Sequence, residues 1–393
     1  MSRVSAATAA RGPATLALVF LLAAPAAARS LGAQEAKGPP SELAALHDIV
    51  ASVSTERVEA DIRRLAGFGT RHTLSDTLSD ARGIGAARRW IKAQFDEISA
   101  ACGGCLEVSY QTSYVGGTER IPDTTAVVNV LAIQRGTTDP GRYVVMSGDI
   151  DSRASRVFAE GTRADETAQV AARRRVTGGE VDSPSRNLAR FIDRLVDGYV
   201  PNLDMMMVYR LDRFGRGGHH RPFNDVGFPA VRIMDANEDY RRQHQNIRVE
   251  EGVEYGDVID EVEFDFAAKL TAVNAISLAA MAWAPAPPRN VVLEGAVRPS
   301  TTLGWDPVPA ERAPNLAGYR VYWRPTDAPQ WAWSVFVGDV TTHTLENIVI
   351  DNYLFGVASV SEGGYESPVV FPWPIGAYEP LQWLGRDPGP EDH

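Results

Sequence analysis

Two carboxylates two residues apart, Asp149 and Asp151, close the apolar run YVVMSG, and two adjacent histidines, His219 and His220, follow the glycines of RGGHHRPFND. Carboxylate oxygen and imidazole nitrogen together are donors that zinc selects. An Asp-x-Asp after a strand is also ordinary turn chemistry, and a His pair after Gly-Gly is also an ordinary polar loop. The pattern therefore gains chemical meaning only if the fold brings the two stretches together. No Gly-x-Ser-x-Gly elbow occurs, so a serine nucleophile has no usual seat. The only cysteines, Cys102 and Cys105, are separated by two glycines that give a tight ring its backbone freedom. In an exported protein this spacing favours a short-loop disulfide, with a redox pair or free thiols as the alternatives. Two thiols alone make a poor zinc site, which closes on four ligands.

These residues need elements to position them. Val58, Ile62, Leu65 and Ala66 fall on one helical face after a candidate N-cap at Ser54, and Ile84, Ile91, Phe95 and Ile98 do so in a second helix. Strands are expected at LEVSYQTSYV, AVVNVLAI, YVVMSG, MMMVYRL and PAVRIM, a helix with Leu188, Ile192, Leu195 and Tyr199 facing inward, and a last helix over 264–283. AVVNVLAI and YVVMSG are near-continuous apolar runs such as a sheet covered on both faces requires. The sum is a layered α/β domain over 41–284. In an open α/β sheet, ligands gather outside the carboxyl ends of strands, where Asp149 and Asp151 fall.

Near residue 285 the composition changes. Six of the eight tryptophans and fifteen of the twenty-five prolines lie from Pro285 onward, beginning with the linker APAPPRN. Short alternating runs follow, spaced by turn residues, which is the period-2 pattern of a small β-sandwich over 285–375 with a tail over 376–393. Trp305, GYRVYW and DNYLFGVASVSEGGYES make this part resemble a fibronectin type III domain, with Tyr353 where that family's corner tyrosine bonds back to the backbone.

The chain opens with Arg3 and Arg11 before an uncharged apolar run from Ala14 to Ala28 that ends in small residues, the pattern of a cleaved signal peptide over 1–28. About fifteen apolar residues fall short of the ~20 that a spanning helix needs. Export to a periplasmic or extracellular location is the expectation, with no later transmembrane segment. With 39 Lys+Arg against 50 Asp+Glu the net charge is −11, and basic runs are short, so nucleic acid is not an expected partner.

The stretches LAGFGTRHT, GIGAARRWI, VVNVLAIQRG, VVMSGDIDSR, RGGHHRPFNDVGFPAVR and NEDYRRQHQNIRVEEGVEYGD are similar to those of exported bacterial di-zinc aminopeptidases, which share a fold with glutamate carboxypeptidase. The resemblance covers roughly residues 55–285. It implies a layered α/β/α zinc-exopeptidase domain that removes amino-terminal residues from peptides, with two zinc ions, a bridging carboxylate and a Glu as general base. The family's His-x-Asp aligns with Asp149 and Asp151, so Asp149 takes the place of the metal-binding imidazole and Asp151 that of the residue that orients it. His220 aligns with the last metal ligand, and His219 stands where an Asp is usual.

The middle of that site has no match. Neither the segment with the bridging Asp nor the Glu-Glu pair occurs between Asp151 and His220, and Glu250 and Glu251 come too late in the chain. Asp204, in Asn-Leu-Asp-Met, imitates a further ligand but leads straight into the histidine loop. Asp149 and His220 lie 71 residues apart, about half the family's interval, and the text changes abruptly near Ser155 to Val157. An internal deletion accounts for all three observations. The expected outcome is a zinc aminopeptidase relative with activity lost or impaired and at most one weakly bound zinc, held by Asp149 and His220 with His219 or Asp204 as auxiliaries. The alternative is a non-catalytic exported module that binds peptide or surface material.

Overall fold

The computed structural model describes residues 38–119, 121–148, 155–236 and 238–383. The expected signal peptide and most of the tail, like Asp149 and Asp151, lie outside the described residues. The first half opens with three helices, α1 (Ala44–Ser52), α2 (Thr55–Gly67) and α3 (Gly83–Ala101). The side chain of Ser54 caps α2 by accepting from the Arg57 backbone N–H. Cys102, at the end of α3, is joined to Cys105 by a disulfide. Then β1 (Glu107–Val115) and β2 (Thr125–Ile133) form an antiparallel hairpin in unbroken register.

The next described strand is β3 (Ser155–Phe158), followed by α4 (Ala168–Thr177), α5 (Pro184–Tyr199), β4 (Met206–Val208), α6 (Arg221–Asp225) and β5 (Arg232–Asp235). A short hairpin, β6 (Arg248–Glu250) and β7 (Val253–Tyr255), leads to α7 (Phe264–Trp283). In the three-stranded sheet β3 lies in the middle, parallel to β4 and antiparallel to β5. Val157 of β3, Ile192 and Val196 of α5, Val273 and Ile276 of α7 and Leu46 of α1 make its core. By length and composition α7 could cross a membrane, which the sequence reading did not anticipate; here it packs on α1, α2 and α5 as a core helix does.

Three expectations fail here. Residues 143–148 form no strand, and Tyr143 and Val145 are 67% and 65% exposed. An apolar run becomes a covered strand only beside neighbours that accept its backbone bonds, and none of the described strands pairs with it. The strands also divide between a two-stranded and a three-stranded sheet instead of one covered layer, and β2 is only half-buried. Finally, the face of α2 that carries Val58, Ile62 and Leu65 is only partly covered, Ala66 is exposed, and Ile98 of α3 is half exposed. Among the described residues no sheet fully covers these apolar faces.

The second half is a β-sandwich. One sheet runs β12 (Thr342–Leu345), β9 (Thr301–Asp306), β8 (Arg289–Glu294), and the other β11 (Trp333–Gly338), β10 (Leu316–Pro325), β13 (Tyr353–Ser361). Trp305 of β9, Tyr319 of β10 and Phe355 of β13 fill the space between them. Tyr353 packs edge-on against Trp333 and Phe355, and it is the Tyr319 hydroxyl that accepts from a distant backbone group, the Val308 N–H at 2.8 Å.

The sandwich is fastened to the first half through buried charge. Asp182, just before α5, accepts from Arg190 of α5 at 3.0 Å and from Arg324 of β10 through both oxygens at 2.9 and 2.8 Å. Arg194 of α5 donates to the Tyr322 hydroxyl, and Gln330 donates to Asp193.

Candidate metal centre

His220 stands at the start of α6, and its position follows from the local sequence. The chain leaves β4, crosses a glycine-containing loop and turns at Gly217 and Gly218 into the helix. A Cβ at Gly218 would lie 2.4 Å from the Arg232 guanidinium and 3.0 Å from His220 Nδ1, so the glycine lets both side chains pack against this turn. Asn224 of α6 then holds the turn by donating to Ser185 Oγ and to the carbonyls of Phe228 and Ala230.

The imidazole is buried, and its two nitrogens are differently placed. Nε2 lies 2.7 Å from the Leu211 carbonyl, which can only accept, so this nitrogen carries the proton. Nδ1 is left as a buried acceptor with no hydrogen-bond partner among the described residues. That is the arrangement of a metal-binding histidine, in which a backbone carbonyl fixes the tautomer and the other nitrogen keeps its lone pair. Burial pushes the His220 pKa below the ordinary imidazole value, opposed by the Leu211 bond and Asp212 and assisted by Arg232 and Arg221.

Around the ring lies a charged shell that the sequence reading did not single out. Asp212 Oδ2 is 3.8 Å from His220 Nε2 and 3.6 Å from Arg232. Glu238 is buried among Arg156 at 2.8 Å, Arg213 at 3.3 Å and Arg216 at 3.6 Å. The only signal for this shell was the charge-dense text RLDRFGRGGHHR, whose pairings depend on β3 and on residues after β5 that are remote in sequence.

Of the other expected site residues, His219 and Asp204 are among the described ones. His219 is exposed on the same cavity wall. Asp204 is exposed and lies close enough to Asp193 of α5 to help raise its carboxyl pKa, whose main cause is burial. It is not among the residues that line the cavity beside His220. Asp149 and Asp151 lie outside the described residues; Ser147 and Gly148 line that cavity with His219 and His220. Among the described residues no three His, Cys, Asp or Glu side chains come together as a metal site. One imidazole is prepared for a metal, but the described residues do not fit a two-zinc centre.

No family model matches the chain. A probable zinc metalloprotease of Pyrenophora tritici-repentis is 31% identical over 427 aligned positions, covering 84% of this chain and 98% of the relative. A second from the same fungus is 32% identical, covering 86% and 88%, and one from Leptosphaeria maculans is 32% identical, covering 86% and 98%. In the first match 84% of this chain is about 330 residues, so roughly 100 of the 427 aligned positions have no residue here. Among solved structures, the third fibronectin III domain of human KIAA0343 protein is 27% identical, covering 24% of this chain and 86% of that one with a TM-score of 0.19. A fibronectin type III domain of human collagen XX is also 27% identical, covering 23% and 92% with a TM-score of 0.18.

Proposed function

This chain belongs to the zinc metalloprotease family of these relatives, and from that premise we propose that it derives from an exported aminopeptidase whose two-zinc site has been dismantled by an internal deletion. The observation that carries this reading is the isolation of His220. Its ring has the open Nδ1 and carbonyl-held Nε2 of a metal ligand, yet the described residues bring no group of three His, Cys, Asp or Glu side chains together as a metal site. The roughly 100 unmatched positions of the alignment and the abrupt change of text near Ser155 to Val157 support the reading of an internal deletion. Two-metal hydrolysis needs ligands that fix both ions and a base that takes the proton of the attacking water. Losing the base alone typically costs ~10²–10⁴ in rate.

In this reading His220 is what remains of the metal site, with Asp149 as its candidate companion, and at most one zinc is held weakly. Asp151, in the place of the orienting residue, then has no imidazole before it to orient. The expected setting is periplasmic or extracellular, after removal of residues 1–28. Peptide is the expected substrate or ligand, and nucleic acid is not. A non-catalytic module that binds peptide or surface material is the second reading, favoured by the size of the cavity beside His220.

The test is hydrolysis of amino-acid p-nitroanilides with added zinc, beside an intact relative as positive control. A trace rate at most is expected. Robust turnover abolished by a chelator overturns the proposal.

A further inference from the structure

The helix that begins at His220 is too short to hold itself in place. Its five residues make little more than one turn, and so short a helix is unstable alone in water, so bonds from other elements must fix it. Two sets do so. On one side Ser185 Oγ of α5 accepts from the Asn224 side chain at 3.1 Å and from the Ala230 N–H at 3.2 Å. On the other side the contacts come from residues 376–383, which the sequence reading takes as part of a tail.

These residues leave the sandwich and return to the first half. Trp373 donates its backbone N–H to the Val291 carbonyl of β8 at 2.7 Å, and Ile375 is buried with Tyr322 of β10 and Trp331. Beyond them the chain meets Arg163, in the loop between β3 and α4. The buried Arg163 guanidinium donates to the Ala377 carbonyl, to the Glu379 carbonyl at 2.7 Å, and to the two oxygens of Asp165 at 2.8 and 3.0 Å. It also donates to the Gly227 carbonyl at 3.1 Å, and Gly227 closes α6 by donating its own N–H to the Asn224 carbonyl. One side chain thus ties the segment after the sandwich to the turn that ends α6. Asp165 Oδ2 accepts in addition from the Leu381 N–H at 2.7 Å, and Trp383 packs edge-on against Phe228 with ring centroids 5.3 Å apart. This approach needs a glycine: Gly227 has φ +91°, and a Cβ there would lie 2.3 Å from Asp165 Oδ2 and 3.2 Å from Pro380 Cα.

We infer that the β-sandwich is an intramolecular brace for the His220 helix, with residues 376–383 as its clasp and Arg163 as the positioning residue at the centre. At the other end of α6 the His220 carbonyl accepts from the N–H groups of Phe223 and Asn224, so movement at Gly227 passes through a single turn to the imidazole. A guanidinium suits this role. Its planar fork presents five N–H donors in fixed directions, whereas an ammonium offers three on a flexible stem. The clasp matters to metal binding only if His220 is the remnant of a metal site, as proposed above, but its existence does not depend on that reading.

The test compares the full chain with Arg163→Lys and Trp383→Ala at pH 8 without zinc, by hydrogen exchange and by the imidazole nitrogen resonances of 15N-labelled histidine. Residues 221–228 and 376–383 should both exchange faster, by about tenfold in Arg163→Lys and about threefold in Trp383→Ala, while Ile192 to Val196 of α5 exchange as before. The His220 resonances, recognised by their absence from His220→Ala, should move toward those of the exposed His244, and those of His343 in β12 should stay. Trp383 is 48% exposed, so its replacement leaves a folded chain should Arg163→Lys not fold. Unchanged exchange of 221–228 overturns the inference, whether or not 376–383 is released. Equal acceleration in α5 and α6 also overturns it, because the segment is then a general stabiliser without a particular hold on His220, and unmoved His220 resonances do the same. No readout uses zinc or substrate, so failure of the metal reading leaves these outcomes intact and failure here leaves the zinc measurements standing.

Discussion

Arg324 of the β-sandwich places its guanidinium 2.9 and 2.8 Å from the two carboxylate oxygens of Asp182, and both side chains are completely removed from solvent. Asp182 also holds Arg190 of α5, so one carboxylate bridges a helix of the first half and a strand of the second. Burying such a group is tolerable only while its partners remain, because an unpaired charge in the interior keeps its full desolvation cost. Replacing Asp182 by Ala leaves two arginines without it and should cost ~3–5 kcal/mol. Far-ultraviolet circular dichroism and tryptophan fluorescence should then show the two halves losing stability together. A variant in which only the first half is destabilised would contradict this coupling.

Glu160 supplies a pH test. Its buried carboxyl is raised from an ordinary value to about 7, chiefly by burial, with Asp165 and Asp225 adding to the rise and Arg163 opposing it. Between the ordinary carboxyl pKa and about 7 the folded protein keeps a proton that the unfolded chain has released. Stability therefore falls as pH rises through that window and is flat above it. The expected loss is on the order of 1–3 kcal/mol, and Glu160→Gln should remove most of it. Urea unfolding of both proteins at pH 5 and pH 8 measures the difference.

For His220 the expectation concerns zinc, with a calorimetric readout. His220→Ala should abolish the weak binding, whereas His343→Ala, in β12 of the sandwich, should leave it unchanged. Protons compete with the metal for Nδ1. Because burial lowers the His220 pKa, binding should persist to pH below the ~6.5 of an ordinary imidazole before it is lost. Equal zinc affinity in the two variants would remove His220 from the account.

Val145 and Ile276 test the reading of the first half's core. At 65% exposed, Val145 should tolerate change to Asp within about 0.5 kcal/mol, as surface positions do. Ile276, fully buried on α7, should cost ~2–5 kcal/mol when replaced by Ala. A large loss at Val145 would mean that residues 143–148 are a buried strand after all.

How much of this was legible in the sequence depended on whether a feature is local. The cap at Ser54, the disulfide at Cys102 and the pattern of Ile192 and Leu195 on α5 are set by neighbours within a few residues, and the structure has them as read. The run YVVMSG was misread because apolarity on both faces encodes an environment, and the partners that would provide it are not among the described strands. The tautomer of His220 could not be read at all, since it is set by the Leu211 carbonyl that the turn at Gly218 brings within reach. The same holds for Asp182, whose partner Arg324 is 142 residues away. Periodicity carries no information about such a pairing.

The central claim is that a member of a zinc metalloprotease family has lost its two-metal site, and metal content tests it most directly. The full chain, purified without chelator and dialysed against metal-free buffer, is measured by elemental analysis with protein quantified by amino-acid analysis. The account predicts less than one zinc per chain, lost further on dialysis and absent from the His220→Ala variant. Two tightly retained zinc ions per chain would contradict it.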